Sequence, residues 1–272
     1  MSAAGGQDPE ARLARDPLQH QHELTVLVTC YNEARFIAQT LETVAAALMA
    51  ARREYEIIVI DDCSRDASAE TIRRYLAAHP DQNIRFCPNE KNRGLACNFI
   101  EGAYLGTGKY YRLCCGDNPE TLEALTHIFT HAGAADMVIP YQVQREVQGK
   151  SPMRKRISML FTAIVNLLSG NKVKYYNALP VFMRYHVMRF PPISYGFGFQ
   201  ADIVTRLLDE DITFLQIRHL GAIDRKGEEA TALSMRNLLS VIHSCVEIAI
   251  RRLRRLFYGK GQPRAREIRL EQ

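Results

Sequence analysis

At 272 residues and 47% hydrophobic composition, the chain has length for one large core with appendages but not for two independent ones. Its net charge of +5 is modest, and its basic tail lacks the aromatic interleaving and reading motifs of a nucleic-acid binder, so nucleic acid is not an expected partner. The longest apolar windows, Ile157 to Leu168 and Leu238 to Ile250, fall short of the ~20 residues that cross a bilayer, so no transmembrane helix is expected.

Met1 to His22 is rich in Gly, Ala, Gln and His without an apolar core, which predicts a disordered lead over residues 1–23 rather than a signal peptide. Seven cysteines, odd in number and without Cys-x-x-Cys spacing, fit reduced thiols in a cytoplasmic protein. Leu24 to Thr29 reads as an apolar strand that runs into Cys30-Tyr31-Asn32-Glu33, and Tyr55 to Ile60 as a second that runs into Asp61-Asp62-Cys63-Ser64. Between them Phe36, Ile37, Thr40, Leu41, Val44 and Leu48 recur at spacings of three and four, the period of an amphipathic helix. Such a β-α-β unit makes parallel neighbours through a right-handed crossover. Thr29, Tyr31, Asn32, Glu33, Asp61 and Asp62 then meet at one sheet edge, the edge where open α/β sheets bind ligands. Alternation continues with a helix over Ala67–Ala78, a strand over Ile84–Cys87, a helix over Cys97–Tyr104 after a turn at Gly94, and a strand over Lys109–Cys115. A turn at Asp117-Asn118-Pro119, a helix over Glu120–His131 and a strand over Met137–Tyr141 complete the first half. His127 and His131 read as helix-surface residues, since no third metal ligand accompanies them. Beyond the polar connector Gln142–Ser151 come a basic, apolar helix and the segments Val173–Met183, Gly196–Leu208 and Ile212–Ile217, with no internal repeat.

The pairing of Thr29-Cys30-Tyr31-Asn32-Glu33 with Asp61-Asp62-Cys63-Ser64-Arg65-Asp66 resembles the family 2 glycosyltransferases, whose usual forms are Tyr-Asn-Glu and Asp-Asp-Gly-Ser-x-Asp. Asn89-Glu90-Lys91-Asn92-Arg93-Gly94-Leu95 resembles the family's Asn-Arg-Gly-Leu element, and Gly116-Asp117-Asn118 stands where its metal-binding Asp-x-Asp falls. The likeness spans residues 24–230 and is greatest to the polyprenyl-phosphate branch related to dolichol-phosphate mannose synthase. It implies an α/β GT-A fold, Rossmann-like, with a mixed and mostly parallel sheet flanked by helices. The nucleotide-sugar half would be 24–141, the acceptor half 142–230, and a basic amphipathic helix and tail 231–272.

A nucleotide sugar offers a flat base, a ribose and a diphosphate, so its site needs a partner for the base edge and a cation for the phosphates. The resemblance implies donor-binding roles for Thr29, Tyr31, Asn32, Glu33, Asp61, Asp62, Lys91, Arg93, Gly94 and Gly116, with Asp62 at the base. Read by residue type alone, Asp61, Asp62, Ser64 and Asp66 also suit the capping of a helix that begins near Ala67. The expected cofactor is Mg²⁺ or Mn²⁺ with Asp117 as ligand. Where the usual motif supplies two carboxylates this chain reads Cys115-Gly116-Asp117. A thiol is a poor ligand for a hard cation, so the diphosphate and waters would complete the shell. The competing reading makes Asp117-Asn118-Pro119 only a strand-ending turn.

Arg154-Lys155-Arg156-Ile157-Ser158 resembles the segment with which the polyprenyl-phosphate branch holds its acceptor phosphate. The i, i+4 spacing puts Arg154 and Ser158 on one helix face, and Arg145 could add a second guanidinium. Asp202 stands where related enzymes carry an acid near the acceptor, and Arg225 resembles their late arginine near the diphosphate; with Asp117 these form the expected catalytic set. Asp202 also suits the cap of a helix over Ile203–Leu208. The segments Asn177-Ala178-Leu179-Pro180 and Glu228-Glu229-Ala230-Thr231 depart from the family's usual forms and leave sugar and acceptor open. The helices of Ile157–Leu168 and Leu238–Leu253 are basic, amphipathic and non-spanning, the pattern of interfacial helices, against which stand core packing and homo-oligomerisation. The expected function is metal-assisted, inverting transfer of one sugar from a UDP or GDP donor to a polyprenyl phosphate, peripheral on the cytoplasmic membrane face. The alternatives are transfer to a soluble or protein hydroxyl, and an inactive nucleotide-sugar-binding protein.

Overall fold

The computed structural model describes residues 18–117, 119–142, 152–189, 198–219, 235–259 and 263–269, with no side chain described at 235–238 or 240. The first half alternates strictly: β1 (His22–Cys30), α1 (Ile37–Ala50), β2 (Tyr55–Asp61), α2 (Ser68–Ala78), β3 (Ile84–Pro88), α3 (Leu95–Leu105), β4 (Gly108–Cys115), α4 (Leu122–Thr130) and β5 (Met137–Tyr141). Then follow α5 (Pro152–Ser169), β6 (Val181–Met183), α6 (Arg184–Met188), α7 (Phe199–Leu208), β7 (Thr213–Arg218), α8 (Met235–Tyr258) and β8 (Arg266–Glu267). All described strands share one sheet of order β3-β2-β1-β4-β6-β5-β7-β8. β6 runs antiparallel to both β4 and β5, and the other pairings are parallel. This is the mixed, mostly parallel sheet expected from the sequence.

β1 and β2 are apolar along nearly their whole length because both faces of the sheet are covered. Side chains alternate: Leu24, Val26, Val28, Ile57 and Val59 pack against α1 and α4, while Leu27, Ile58 and Ile60 pack with α3, α5 and α7 on the other face. One strand breaks the pattern. Arg112 in β4 is fully buried; it donates to Glu120 at 2.5 Å, to the Cys114 sulfur at 2.9 Å and to the Leu179 carbonyl at 3.1 Å.

The second half departs further from the sequence reading. Of Val173–Met183 only Val181–Met183 is strand, inserted antiparallel, and the short helix α6 behind it was not foreseen. Its Arg184 is buried and donates to the carbonyls of Gly108 at 2.6 Å and Ala103 at 3.0 Å. The competing reading of Asp202 as the cap of Ile203–Leu208 is corrected: the helix opens at Phe199, Gly198 is its N-cap, and Asp202 lies in its first turn. Read from the sequence only as a tail, Arg266–Glu267 pairs with β7 as the edge strand β8, through Thr213↔Arg266 and Phe214↔Glu267. Arg264 fastens that return by donating to Asn171 at 2.6 Å and to Asp209 at 3.3 Å.

Candidate functional site

Three neighbouring strands end level with one another. Cys30 pairs with Asp61, and Thr29 with Cys115, so the carboxyl ends of β2, β1 and β4 form one ledge. Gly116 continues the ledge by donating its N–H to the Thr29 carbonyl at 2.8 Å, and its own carbonyl accepts the Thr40 hydroxyl at 2.7 Å. A Cβ on Gly116 would meet the Thr29 carbonyl oxygen at 2.5 Å, a backbone contact that cannot yield, so glycine is required next to Asp117.

The loops after β1 and β2 interlock. The Asn32 N–H donates to Ser64 Oγ at 2.9 Å, the Arg65 N–H to Asn32 Oδ1 at 2.8 Å, the Glu33 N–H to Ser68 Oγ at 2.8 Å, and the Ala34 N–H to Asp66 Oδ2 at 3.0 Å. Ser64 in turn donates to Asp61. Asn32 has φ +58° and Cys63 φ +64°, both left-handed. Asn enters that region readily, and at Cys63 the resembling motif has Gly, the residue that pays no steric cost there. Burial works to raise the Asp66 carboxyl, but hydrogen bonds from Ser68 and from the Ala34 N–H outweigh it and hold the group below its ordinary value. Asp66 therefore does accept the Ser68 N–H at 3.0 Å, as a cap would, while also tying down the other loop.

Asp62 does something the cap reading missed. It is buried, and its carboxylate accepts from Asn89 Nδ2 at 2.9 Å, the Arg93 N–H at 2.8 Å and the Gly94 N–H at 2.8 Å. The 89–94 segment is thereby folded onto the ledge, with Gly94 at φ +82° turning the chain into α3. Asn89 also donates to the buried Asn98 at 2.8 Å. Neither asparagine was singled out from the sequence; the signal was a polar residue at each end of an otherwise recognisable Asn-Arg-Gly element. Tyr31 is 45% exposed at the rim, Lys91 is exposed, and Arg93 pairs with Glu101. Thr29, Asn32, Glu33, Asp61, Asp62, Arg93, Gly94 and Gly116 are thus brought together as expected.

Asp117 follows the ledge by two residues. Burial, and next the Asp117 charge, push the neighbouring Cys115 thiol well up, so it remains protonated and is no ligand for a hard cation. Among the described residues no group of three His, Cys, Asp or Glu side chains is placed to hold a metal. The donor set is one carboxylate, which fits Mg²⁺ or Mn²⁺ that keeps waters and takes its other oxygens from a diphosphate.

Of the residues expected at the acceptor, Arg154 and Ser158 are both half-buried on one flank of α5. Asp202 is buried in α7 with one carboxylate oxygen 2.5 Å from Arg251 and the other 3.1 Å from Arg206. It is an ion-pair anchor for α8, and the structure does not bring it to the ledge by any contact described. Arg145 and Arg225 lie outside the described residues.

The sequence signature of Glycosyl transferase family 2 covers residues 25–195, which hold this whole ledge and its loops. The chain belongs to glycosyl transferase family 2. It is 33% identical over 92 residues to a dolichyl-phosphate beta-glucosyltransferase of Dictyostelium discoideum, a match covering 32% of this chain and 28% of that one. To a dodecaprenyl-phosphate galacturonate synthase of Rhizobium johnstonii it is 28% identical over 106 residues, 39% of this chain and 31% of the other. These matches span about a third of the relatives' own length. The solved structure of a mannosyltransferase from Pyrobaculum calidifontis, in complex with GDP-Man and Mn²⁺, superposes with TM-score 0.58 at 16% identity, over 87% of this chain and 69% of that one. That likeness carries the GT-A fold.

Proposed function

We propose that this family 2 glycosyltransferase moves one sugar from a UDP or GDP donor to a polyprenyl phosphate, with inversion, at the cytoplasmic face of a membrane. The observation that carries the reading is the ledge: interlocked loops from β1 and β2, the 89–94 segment clamped by Asp62, and Asp117 at the adjoining strand end. Tyr31 would stack on the base, Asp62 would order the loop that lines the nucleoside, and Thr29, Asn32, Glu33, Asp61, Lys91, Arg93, Gly94 and Gly116 would line the rest. Asp117 would hold a Mg²⁺ or Mn²⁺ ion, which when bound neutralises charge on the departing diphosphate. Arg225 would add to that neutralisation, and Arg145, Arg154 and Ser158 would grip the acceptor phosphate.

Two considerations support a phosphate acceptor over a hydroxyl. Two of the curated relatives are named for polyprenyl phosphates. A phosphate is already ionised at pH 7 and needs positioning more than a base, whereas a hydroxyl acceptor would need one, and Asp202, the acid expected near the acceptor, is committed to Arg206 and Arg251. Calorimetry with UDP and GDP, with and without Mn²⁺, tests the donor side: Asp117→Ala should abolish the metal-dependent part of binding, and an unchanged metal dependence would remove the assignment. Extraction of radiolabelled sugar into a polyprenyl phosphate tests the acceptor, and transfer to a water-soluble hydroxyl instead would overturn it.

A further inference from the structure

Helices α5 and α8 are apolar on two opposite sides. On the inner side Thr162, Val165 and Ser169 of α5 and Ser244 and Ile248 of α8 are buried, and Val165 and Ile248 enter the same core cluster. The outer side of α5 carries Met153, Ile157, Leu160, Ile164 and Leu167, at spacings of four, three, four and three, all exposed. The outer side of α8 carries Leu239, Ile242, Val246, Ile250, Leu253 and Phe257 in the same kind of row, also exposed. Leu167 is 83% and Phe257 75% exposed, values far beyond the scattered single leucine of an ordinary surface. The two helices pack against each other, and Arg252 of α8 lies against Gly170 at the end of α5. Because both inner sides face one core, both outer rows look away from it, and together they form one apolar face.

The charge around that face selects its occupant. Helix α5 holds Arg154, Lys155 and Arg156 and no acid; on α8, Arg251 and Arg255 pair inward with Asp202 and Asp209, while Arg252 and Arg254 stand with the single Glu247. Arg156 and Arg254 are exposed beside the rows. A second copy seated on this face would bring two cationic rims together with one glutamate apiece to offset them, whereas anionic headgroups complement them. No helix among the described residues is long and apolar enough to cross a membrane, so the face can lie on a bilayer but not span it.

We propose that the joint outer face of α5 and α8 docks on the surface of an anionic lipid bilayer. Arg154 and Ser158 each follow a member of the α5 row by one position, so the docked face borders the proposed phosphate grip; only that consequence rests on the lipid-phosphate reading.

Flotation of the full chain with vesicles of phosphatidylcholine, with and without phosphatidylglycerol, tests it. The chain should float with the phosphatidylglycerol vesicles and be released by salt. The double variant Leu160→Glu/Leu253→Glu should bind about tenfold or more weakly, because it puts charge into the buried apolar area. Leu160 and Leu253 are exposed and belong to neither core cluster, so circular dichroism and nucleotide binding should not change. The reversal Arg156→Glu/Arg254→Glu, which leaves the apolar rows intact, should lose the preference for anionic vesicles. The proposal is overturned if the full chain stays in the aqueous fraction, if both variants float like the parent, or if light scattering finds a dimer that Leu160→Glu/Leu253→Glu dissolves. Flotation without any nucleotide binding would support docking and count against the transferase reading; nucleotide binding without flotation would do the reverse.

Discussion

At the β1 and β2 ends, backbone is fixed by short side chains: Asn32, Ser64, Asp66 and Ser68 each reach a loop some thirty residues away and satisfy N–H groups there. Around β6 and α7, long arginines do the fastening instead. Arg112 reaches Leu179, Arg184 reaches Ala103, Arg251 reaches Asp202 and Arg264 reaches Ser169. A short polar side chain has few rotamers and binds only where the backbone brings the partner close, so it specifies a loop tightly. An arginine spans a gap between elements and brings several donors to whatever carbonyls and carboxylates it meets. The β1 and β2 ends are therefore held by local latches, and the region of β6 and α7 by bolts between layers.

That contrast can be broken first at its largest bolt. Arg112→Ala should destabilise the fold by about 3–5 kcal/mol in urea unfolding, because it leaves Glu120 without its cation in a nearly buried position. Adding Glu120→Gln should recover part of the loss. A cost near zero would mean that Arg112 does not fasten β4 to the 179 loop. The next effect belongs to the ledge: Asp62→Ala should cost about 1–3 kcal/mol, since three donors lose their acceptor together. Amide hydrogen exchange at Arg93 and Gly94 should accelerate while that of β6 stays the same, and equal exchange in variant and parent would dissolve the clamp.

The smallest effect is a pH dependence at the latch. Asp66 is held below its ordinary value in the folded chain, so what it contributes is present above the unfolded pKa of about 3.9 and is lost as pH falls from there through the lowered folded value. Protection of the Ala34 and Ser68 amides, exchange taken relative to the intrinsic rate at each pH, should fall over that acid window, and Asp66→Asn should flatten the response. A parent profile already as flat as that of the variant would refute it.

How much was legible follows the same division. The β-α-β unit, the level strand ends and the gathering of Thr29, Asn32, Asp61 and Gly116 were readable, because apolar period and parallel crossover force them irrespective of what else the chain does. Cys63 illustrates the limit of motif reading: the sequence displayed a cysteine where glycine is usual, but only φ +64° explains the usual choice. Arg112 carried a signal, a charge within an apolar strand, yet no spacing could name Glu120 and Leu179 as its partners. Asp202 was readable as an acid near a helix start, and the sequence offered it both as an acid near the acceptor and as a cap. Its meaning depends on Arg251, 49 residues on, which only the packing of α8 against α7 brings within reach.

The sequence by itself determined the alternation of strand and helix, the family and the ledge, since each rests on local period or on residues within one crossover. It also determined that α5 and α8 are amphipathic and basic. Only the tertiary structure decided that each has two apolar sides, one spent on the core and one left facing out. A period of three and four marks where apolar side chains recur, but which row meets the core depends on how a helix is rotated against its neighbours. The same holds for the antiparallel β6 and the returning β8, whose short runs carry too little pattern to choose a partner until the longer strands have set the sheet.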